Sequence, residues 1–557
     1  MANGSTRTNS GLAILGLAAA ACSGAPRRSA PEAEPMLAAL PAPVAVNTER
    51  FAGVIVCDRC HTAGETAMRD RRGRDISPVA EVRVSMMGLA ARDPYYLAAL
   101  ARETAANPGA GPAIEAICIR CHAPVGMTEA RGALTRGDLI AGTGPAAALG
   151  REGIGCAGCH ALDPEGLGEE RTLGRPVLRE DRVSFGALEA PLAEAMLVMS
   201  KTRPERGPHV SQSRLCASCH TVLVRRLDER GAPIGDEIAE QATYLEWRNS
   251  EFQDETSPAG ARATTCQGCH MPSTEDELGR GPPIATAFST RPPTAPVREH
   301  YRRHALRGGN AYLLERLAVN AAWLNAGVGA AQLAEAASAT REFLQRSARI
   351  EIAGGRDALA VTVVNETGHK LPTGYPSRRM WLHVVAVDDQ GAAVFESGRF
   401  DARLGTLLDQ AGRRLDGPGA QLAHRTAIDS PDHVIVWEAV PVDARGRRTH
   451  LLLGTAAFVK DNRILPAGWR ADHADAGRTR AIGVDGDPDF APGRDTVTFR
   501  LPASARTVHA QLLYQPIPPE TIESYEPRDG PEAARFRRIT AEPPRPDPLA
   551  RATHTFR

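Results

Sequence analysis

The sequence predicts an α+β, multidomain chain, with a mainly helical and irregular N-terminal part followed by a β-sandwich. Three observations predict it. The 557 residues give room for two or three domains. From about residue 51 to 349, apolar residues recur at helical spacing in short blocks separated by Gly/Pro-rich stretches. Past Ile350 the period changes to that of short strands punctuated by turn residues.

In the first part, Val79 to Ala91 reads as a helix, and Asp93-Pro94 caps and starts the next, reaching Glu103. Leu188 to Lys201 and Asn310 to Arg349 read as helices too, the second broken near Gly327. In the second part, placed at 350–515, the strand candidates are Leu359–Val364, Trp381–Val387, Ala392–Glu396, His433–Val442, Thr449–Gly454, Thr496–Leu501 and Thr507–Tyr514. Turns at Asp388-Asp389-Gln390-Gly391 and Asp443-Ala444-Arg445-Gly446 separate two of the pairs. The Pro- and Arg-rich residues 516–557 are expected as a poorly ordered tail or one wrapped over the surface.

The N-terminus reads as an export signal over 1–22. Arg7 supplies the positive region, and Gly11 to Ala21 is an apolar run too short to span a bilayer. Cys22 directly after Ala19-Ala20-Ala21 resembles a lipoprotein processing site, so Cys22 is a candidate lipid anchor. The alternative is an ordinary cleaved signal whose cysteine goes unused. Residues 23–50, rich in Ala, Pro and charge, are expected as a flexible linker. The charge balance, 66 basic against 66 acidic side chains, argues against nucleic acid as a partner. Only Lys201, Lys370 and Lys460 are lysines. The arginine excess fits a GC-rich genome or the pairing of buried carboxylates.

The cysteines decide the chemistry. There are 11, and the ten after the signal form five Cys-x-x-Cys-His motifs: Cys57/Cys60/His61, Cys118/Cys121/His122, Cys156/Cys159/His160, Cys216/Cys219/His220 and Cys266/Cys269/His270. Two thiols three positions apart can each form a thioether to a haem vinyl group, and the adjacent histidine then becomes the first axial ligand. Zinc does not demand a histidine after the second cysteine five times over. Thioredoxin-like pairs come singly, and disulfides would not choose this short loop repeatedly. The expectation is five covalent haem c groups in a pentahaem cytochrome c domain over 51–349. Such attachment belongs to the exported compartment, in agreement with the signal. Aromatic residues make up only 4% of the chain, a shortage that large bound apolar groups would relieve.

Several other stretches carry a resemblance. They are Ser85-Met86-Met87 with Ala91-Arg92-Asp93-Pro94-Tyr95, Glu152-Gly153-Ile154-Gly155, and Thr243-Tyr244-Leu245-Glu246-Trp247. With them go His270-Met271-Pro272, His304 with Gly308-Gly309-Asn310, Thr367-Gly368-His369-Lys370-Leu371-Pro372-Thr373-Gly374, and Lys460-Asp461-Asn462-Arg463-Ile464-Leu465-Pro466. Over most of 51–515 the chain resembles a superfamily of multihaem cytochromes related to the electron-carrier and hydroxylamine-oxidoreductase type.

Each iron has a sixth position, which a second imidazole closes for electron transfer and an open site leaves for chemistry. His304 is the first candidate, because Gly308-Gly309 lets backbone pack close to a ring, with His300 as fallback. His209, after Gly207-Pro208, and His369, in a Gly/Pro-bounded loop, are the others; His369 would reach from the sandwich into the haem domain. Met86 or Met87 could serve the first haem, but a methionine pair on a helix is more often core filling. His383 is read as structural, and His424, His433, His450, His473, His509 and His554 as surface or local residues.

The functional expectation is a cytochrome passing electrons through five haems in the cell envelope, periplasmic or at the outer membrane or cell surface. Its partners would be other cytochromes or quinone-linked oxidoreductases. The alternative is a multihaem oxidoreductase acting on a small nitrogen or sulfur compound at one open haem, the substrate class resting on the resemblance alone. Against the alternative, every motif ends in histidine, and no dedicated acid/base constellation is visible. A third reading, compatible with the first, makes the sandwich a docking module.

Overall fold

In the computed structural model, residues 38–525 and 530–557 are described. The expected signal, Cys22 and the first part of the linker lie outside them. Asp93 starts the best-defined early helix, Pro94–Ala106: its carboxylate accepts the Tyr95 N–H at 2.9 Å, and proline fills the first turn. The helix expected from Val79 is shorter, Pro78–Arg83. Ser85 Oγ accepts the Gly88 N–H at 3.0 Å and turns the chain, and a Cβ on Gly88 would lie 2.0 Å from the Val82 carbonyl oxygen. The region expected at Leu188–Lys201 is helical only over Ala193–Ser200. Asn310–Arg349 divides into Ala311–Val319, Ala321–Leu324 and Ala330–Leu344, broken where Asn325 and Gly327 take positive φ. Three two-stranded pairs also lie in this half: β1 (Val183–Gly186) with β2 (Arg203–Arg206), β3 (Val222–Leu227) with β4 (Pro233–Gln241), and β5 (Thr286–Ala287) with β6 (Val297–Arg298).

The second half holds β7 (Ala348–Gly355), β8 (Ala358–Asn365), β9 (Arg379–Val387), β10 (Ala393–Ser397), β11 (Ala427–Ile428), β12 (Val436–Val442), β13 (Ala457–Asp461), β14 (Arg494–Phe499), β15 (Thr507–Gln515) and β16 (Asp547–Thr555). One sheet runs β13-β12-β9-β15-β16 with β10 also paired to β9; the other runs β11-β14-β8-β7. Alternation puts Leu359, Val361 and Val363 of β8 and Val497 and Phe499 of β14 into one core with Met380, Leu382, Val384 and Ala386 of β9 and Val508, Ala510 and Leu512 of β15. The sheets therefore pack face to face.

Three expectations are corrected. Thr449–Gly454 is not a strand, because the buried Glu103 carboxylate crosses from the helical half and accepts the Leu452 and Leu453 N–H groups at 2.5 and 3.4 Å. Residues 516–557 are not a loose tail. The helix Pro531–Thr540 buries Phe536 and Ile539 against Tyr312 and Leu313, and β16 pairs with β15 and puts Leu549 into the sandwich core. The described end of the linker is not a free tether either: Leu40 N–H donates to the Trp323 carbonyl, and Arg92 clamps the carbonyls of Pro41, Leu324 and Arg151. Ala38–Arg557 forms one compact unit. No helix among the described residues is long and apolar enough to cross a membrane.

Candidate haem sites

Each motif is built the same way. The five motifs lie in or across the short helices Val54–Asp58, Gly111–His122, Cys156–His160, Arg214–His220 and Cys266–His270. The first continues past its helix by the bonds Cys60 N–H and His61 N–H to the Cys57 carbonyl, at 3.1 and 3.0 Å. One helical turn thus sets both thiols on one side, with the imidazole next to them.

Four of the five imidazoles are held in one tautomer. Nδ1 of His61 donates to the Phe288 carbonyl at 2.8 Å, His160 to Phe185 at 2.6 Å, His270 to Arg307 at 2.6 Å, and His122 to Ala90 at a longer 3.4 Å. A proton fixed on Nδ1 leaves the Nε2 lone pair for a metal, the usual second partner of a ligating histidine. Burial lowers the pKa of His61 and His270 and pushes His122 and His220 down to about 4, so these rings are neutral at pH 7. The five motif histidines and nine of the ten cysteines are half-buried, with Cys269 exposed.

Two of the expected distal histidines face motif imidazoles. His304 lies opposite His160 and His369 opposite His270, each pair with ring centres 6.4 Å apart and planes within 23° and 21° of parallel. Two metal–imidazole bonds of about 2.0 Å, with roughly 1.1 Å from each nitrogen to its ring centre, would put coaxial rings about 6.2 Å apart. Nδ1 of His304 is turned to the Arg302 carbonyl and that of His369 to the Lys370 carbonyl, both at 3.0 Å. Burial pushes both rings down to about 4. The residues present therefore fit the group.

The His369 loop belongs to the sandwich and is clamped to the helix Thr243–Arg248. Glu246 accepts the Lys370 N–H at 3.1 Å and the Thr373 hydroxyl at 2.5 Å. A Cβ on Gly368 would meet Trp247 and Phe252 at 3.1 Å.

Other candidates stand differently. His209 is buried, but its Nε2 lies 3.2 Å from the Leu162 carbonyl and its ring is edge-on to Phe185. His300 is exposed at positive φ. Met86 packs beside Tyr95 in the cluster around Phe536, as core filling. His383 bonds Glu396 at 2.9 Å. Tyr96, which sequence reasoning missed, stacks on His122 with ring centres 3.7 Å apart.

The zinc reading finds no support. Among the described residues, the one cluster of three metal-capable side chains is His424, Asp487 and Asp495, far from any motif in sequence. His424 is thus no local surface residue, and it is not poised for a metal. Asn462, oriented by Glu438 N–H and the Val436 carbonyl, donates to His424 Nδ1 at 3.0 Å, which leaves the proton on Nε2 for Asp487 at 2.7 Å.

The motifs adjoin one another in a definite pattern. The thiols of Cys57 and Cys156, of Cys121 and Cys219, and of Cys216 and Cys266 are neighbours that influence one another electrostatically. Backbone contacts agree. Val54 N–H donates to Glu152 at 2.8 Å, tying the first motif to the approach of the third. Cys266 N–H donates to Ser213 Oγ at 3.0 Å, tying the fifth to the fourth. Gly174 joins the second to the fourth through Cys121 and Ala217. Leu215 packs with Ala161 and Leu162, joining the fourth to the third.

No family model matches the chain, and no curated protein does. Among solved structures, the chain is similar to a penta-heme cytochrome c552 from Thermochromatium tepidum, at 16% identity and a TM-score of 0.41, over 79% of this chain and 83% of that one.

Proposed function

We propose that the chain is a multihaem c-type cytochrome that binds five haems covalently and passes electrons in the cell envelope. The observation that carries the reading is the set of five Cys-x-x-Cys-His turns, in which four histidines are bound through Nδ1 to backbone carbonyls and two face a second imidazole at 6.4 Å. The ten motif cysteines would anchor the groups, and His61, His122, His160, His220 and His270 would be the proximal ligands. His304 and His369 would close the third and fifth sites. His209 keeps a ligand's role only through Nδ1, because its Nε2 is turned to a carbonyl. Bound haem supplies one-electron chemistry, while the chain supplies ligand identity, burial and nearby charge.

The contacts among motifs support an order of first, third, fourth and fifth, with the second beside both the third and the fourth. Export, with lipid attachment at Cys22, and redox proteins as partners belong to the same proposal. The test is expression with cytochrome c maturation machinery, followed by a haem count on the denatured polypeptide. Five per chain is expected; none, or clearly fewer than five, overturns the reading.

A second reading, an added catalytic role at an open haem, would concern His61, His122 or His220, since among the described residues the motif imidazoles that face a second one are those of His160 and His270. CO binding by the reduced protein, with a high-spin signal, would support that role, and an all-low-spin protein inert to CO would remove it.

A further inference from the structure

The two opposed imidazole pairs are tied together by one buried chain of ion pairs. Residues 301–308 carry no regular secondary structure, yet they hold both His304 and the carbonyl of Arg307 that fixes His270. Irregular backbone at this depth needs side chains to hold it. Glu81 accepts the His304 N–H and the Arg303 Nε–H, both at 2.5 Å. Arg303 reaches on to Glu277 at 2.9 Å, and Glu277 accepts Arg307 Nε–H at 2.5 Å. Arg303 also donates to the Glu275 carbonyl at 3.2 Å, and its own N–H to the Pro272 carbonyl, two residues past the fifth motif. The side chains of Arg303, Glu81, Arg307 and Glu277 are only 3%, 5%, 6% and 13% exposed. The chain alternates two carboxyl and two guanidinium groups, so each buried group faces a partner of the opposite kind.

We infer that Glu81–Arg303–Glu277–Arg307 is a shared positioning device that couples the His160–His304 site to the His270–His369 site. Glu277 is the informative member, for it touches Arg303 and Arg307 and no histidine. Loss of its carboxylate frees Arg307, and with it the carbonyl that orients His270. It also removes one of the bonds that set the Arg303 guanidinium against Glu81, the carboxylate that holds the His304 N–H. Short charge-assisted bonds of 2.5–2.9 Å make the device sensitive to length as well as to charge.

The inference rests on the haem reading, and the experiment separates the two. E277Q and E277D are prepared in the full, matured chain, and haem content, redox titration and low-temperature EPR are compared with the unsubstituted protein. A haem count below five in the unsubstituted protein counts against the haem reading itself. With five haems present, both variants are expected to shift two of the five redox waves and the g-values of two low-spin haems. E277D keeps the charge, so a shift there reports geometry. Should E277Q fail to accumulate, E277D alone carries the test. The inference is overturned if only one wave moves, if none moves, if all five move equally, or if E277Q acts while E277D is silent, since the last pattern is a field effect without positioning.

Discussion

The loop that presents His369 stands on a buried cluster whose energetics can be worked through. Asp461, at the end of β13, accepts Lys370 Nζ at 2.6 Å, Arg463 Nε at 2.6 Å and Arg463 Nη2 at 2.7 Å. Lys370 is 1% exposed and also donates to the Arg480 carbonyl at 3.0 Å. Burial pushes the Asp461 carboxyl up, but the charges of Arg463 and Lys370 outweigh it and hold the group well below its ordinary value. Asp461→Asn leaves two buried cations facing an amide, a loss of about 3–5 kcal/mol. Lys370→Met is the contrast: it removes one cation but leaves the bidentate Asp461–Arg463 pair balanced, so the cost is the lost hydrogen bonds, about 1 kcal/mol. Urea titrations followed by far-UV ellipticity measure both. Because the folded pKa is depressed, this contribution is present above pH 4 and is lost as pH falls below it, so the gap between the parent and Asp461→Asn should close in acid. Equal losses in the two variants, or a gap that widens in acid, would refute the argument from uncompensated charge.

Other predictions follow from single contacts. His304→Ala and His369→Ala should each keep five haems while turning one low-spin haem high-spin, read by EPR and by new CO binding; unchanged spectra would exclude the residue as a ligand. Burial raises Asp495 from 3.8 to about 7. Its folded form therefore binds a proton more tightly, and stability falls as pH rises from about 4 to 7. Asp495→Asn, which still accepts from Trp437 Nε1, should then be more stable than the parent at pH 8 by about 2–4 kcal/mol, and the gain should vanish near pH 4. Phe536→Ala, at a site 1% exposed against Tyr95 and Tyr525, should cost about 3–5 kcal/mol in the same urea assay.

What was legible in the sequence is what local spacing controls. The Cys-x-x-Cys-His turns are five-residue units, and Asp93-Pro94 announces its helix within three residues. The central strands β8, β9, β12 and β15 show in their apolar runs. Partnership across the chain was not legible. His369 meets His270 only because Glu246 and a close-packed Gly368 bring the sandwich loop to the helical half. The strand expected at Thr449 gives way to a carboxylate 349 residues away in sequence. β16 was missed because its alternating small, polar and basic residues carry little apolar signal, while its pairing with β15 supplies the stabilisation. Tyr96 offered no spacing clue, since a ring stacked on the His122 imidazole looks like any aromatic on a helix.

The fourth motif adjoins the second, third and fifth, and the second also meets the third, where Pro124 lies beside Gly158 and Val125 shares a core with Ala161 and Leu162. With the proposed cofactors in place, that pattern decides which losses the molecule tolerates. Losing the second site would leave the path from the first through the third and fourth to the fifth unbroken. Losing the fourth would strand the fifth alone, so under the proposed function Cys216, Cys219 and His220 would be the one passage to that end.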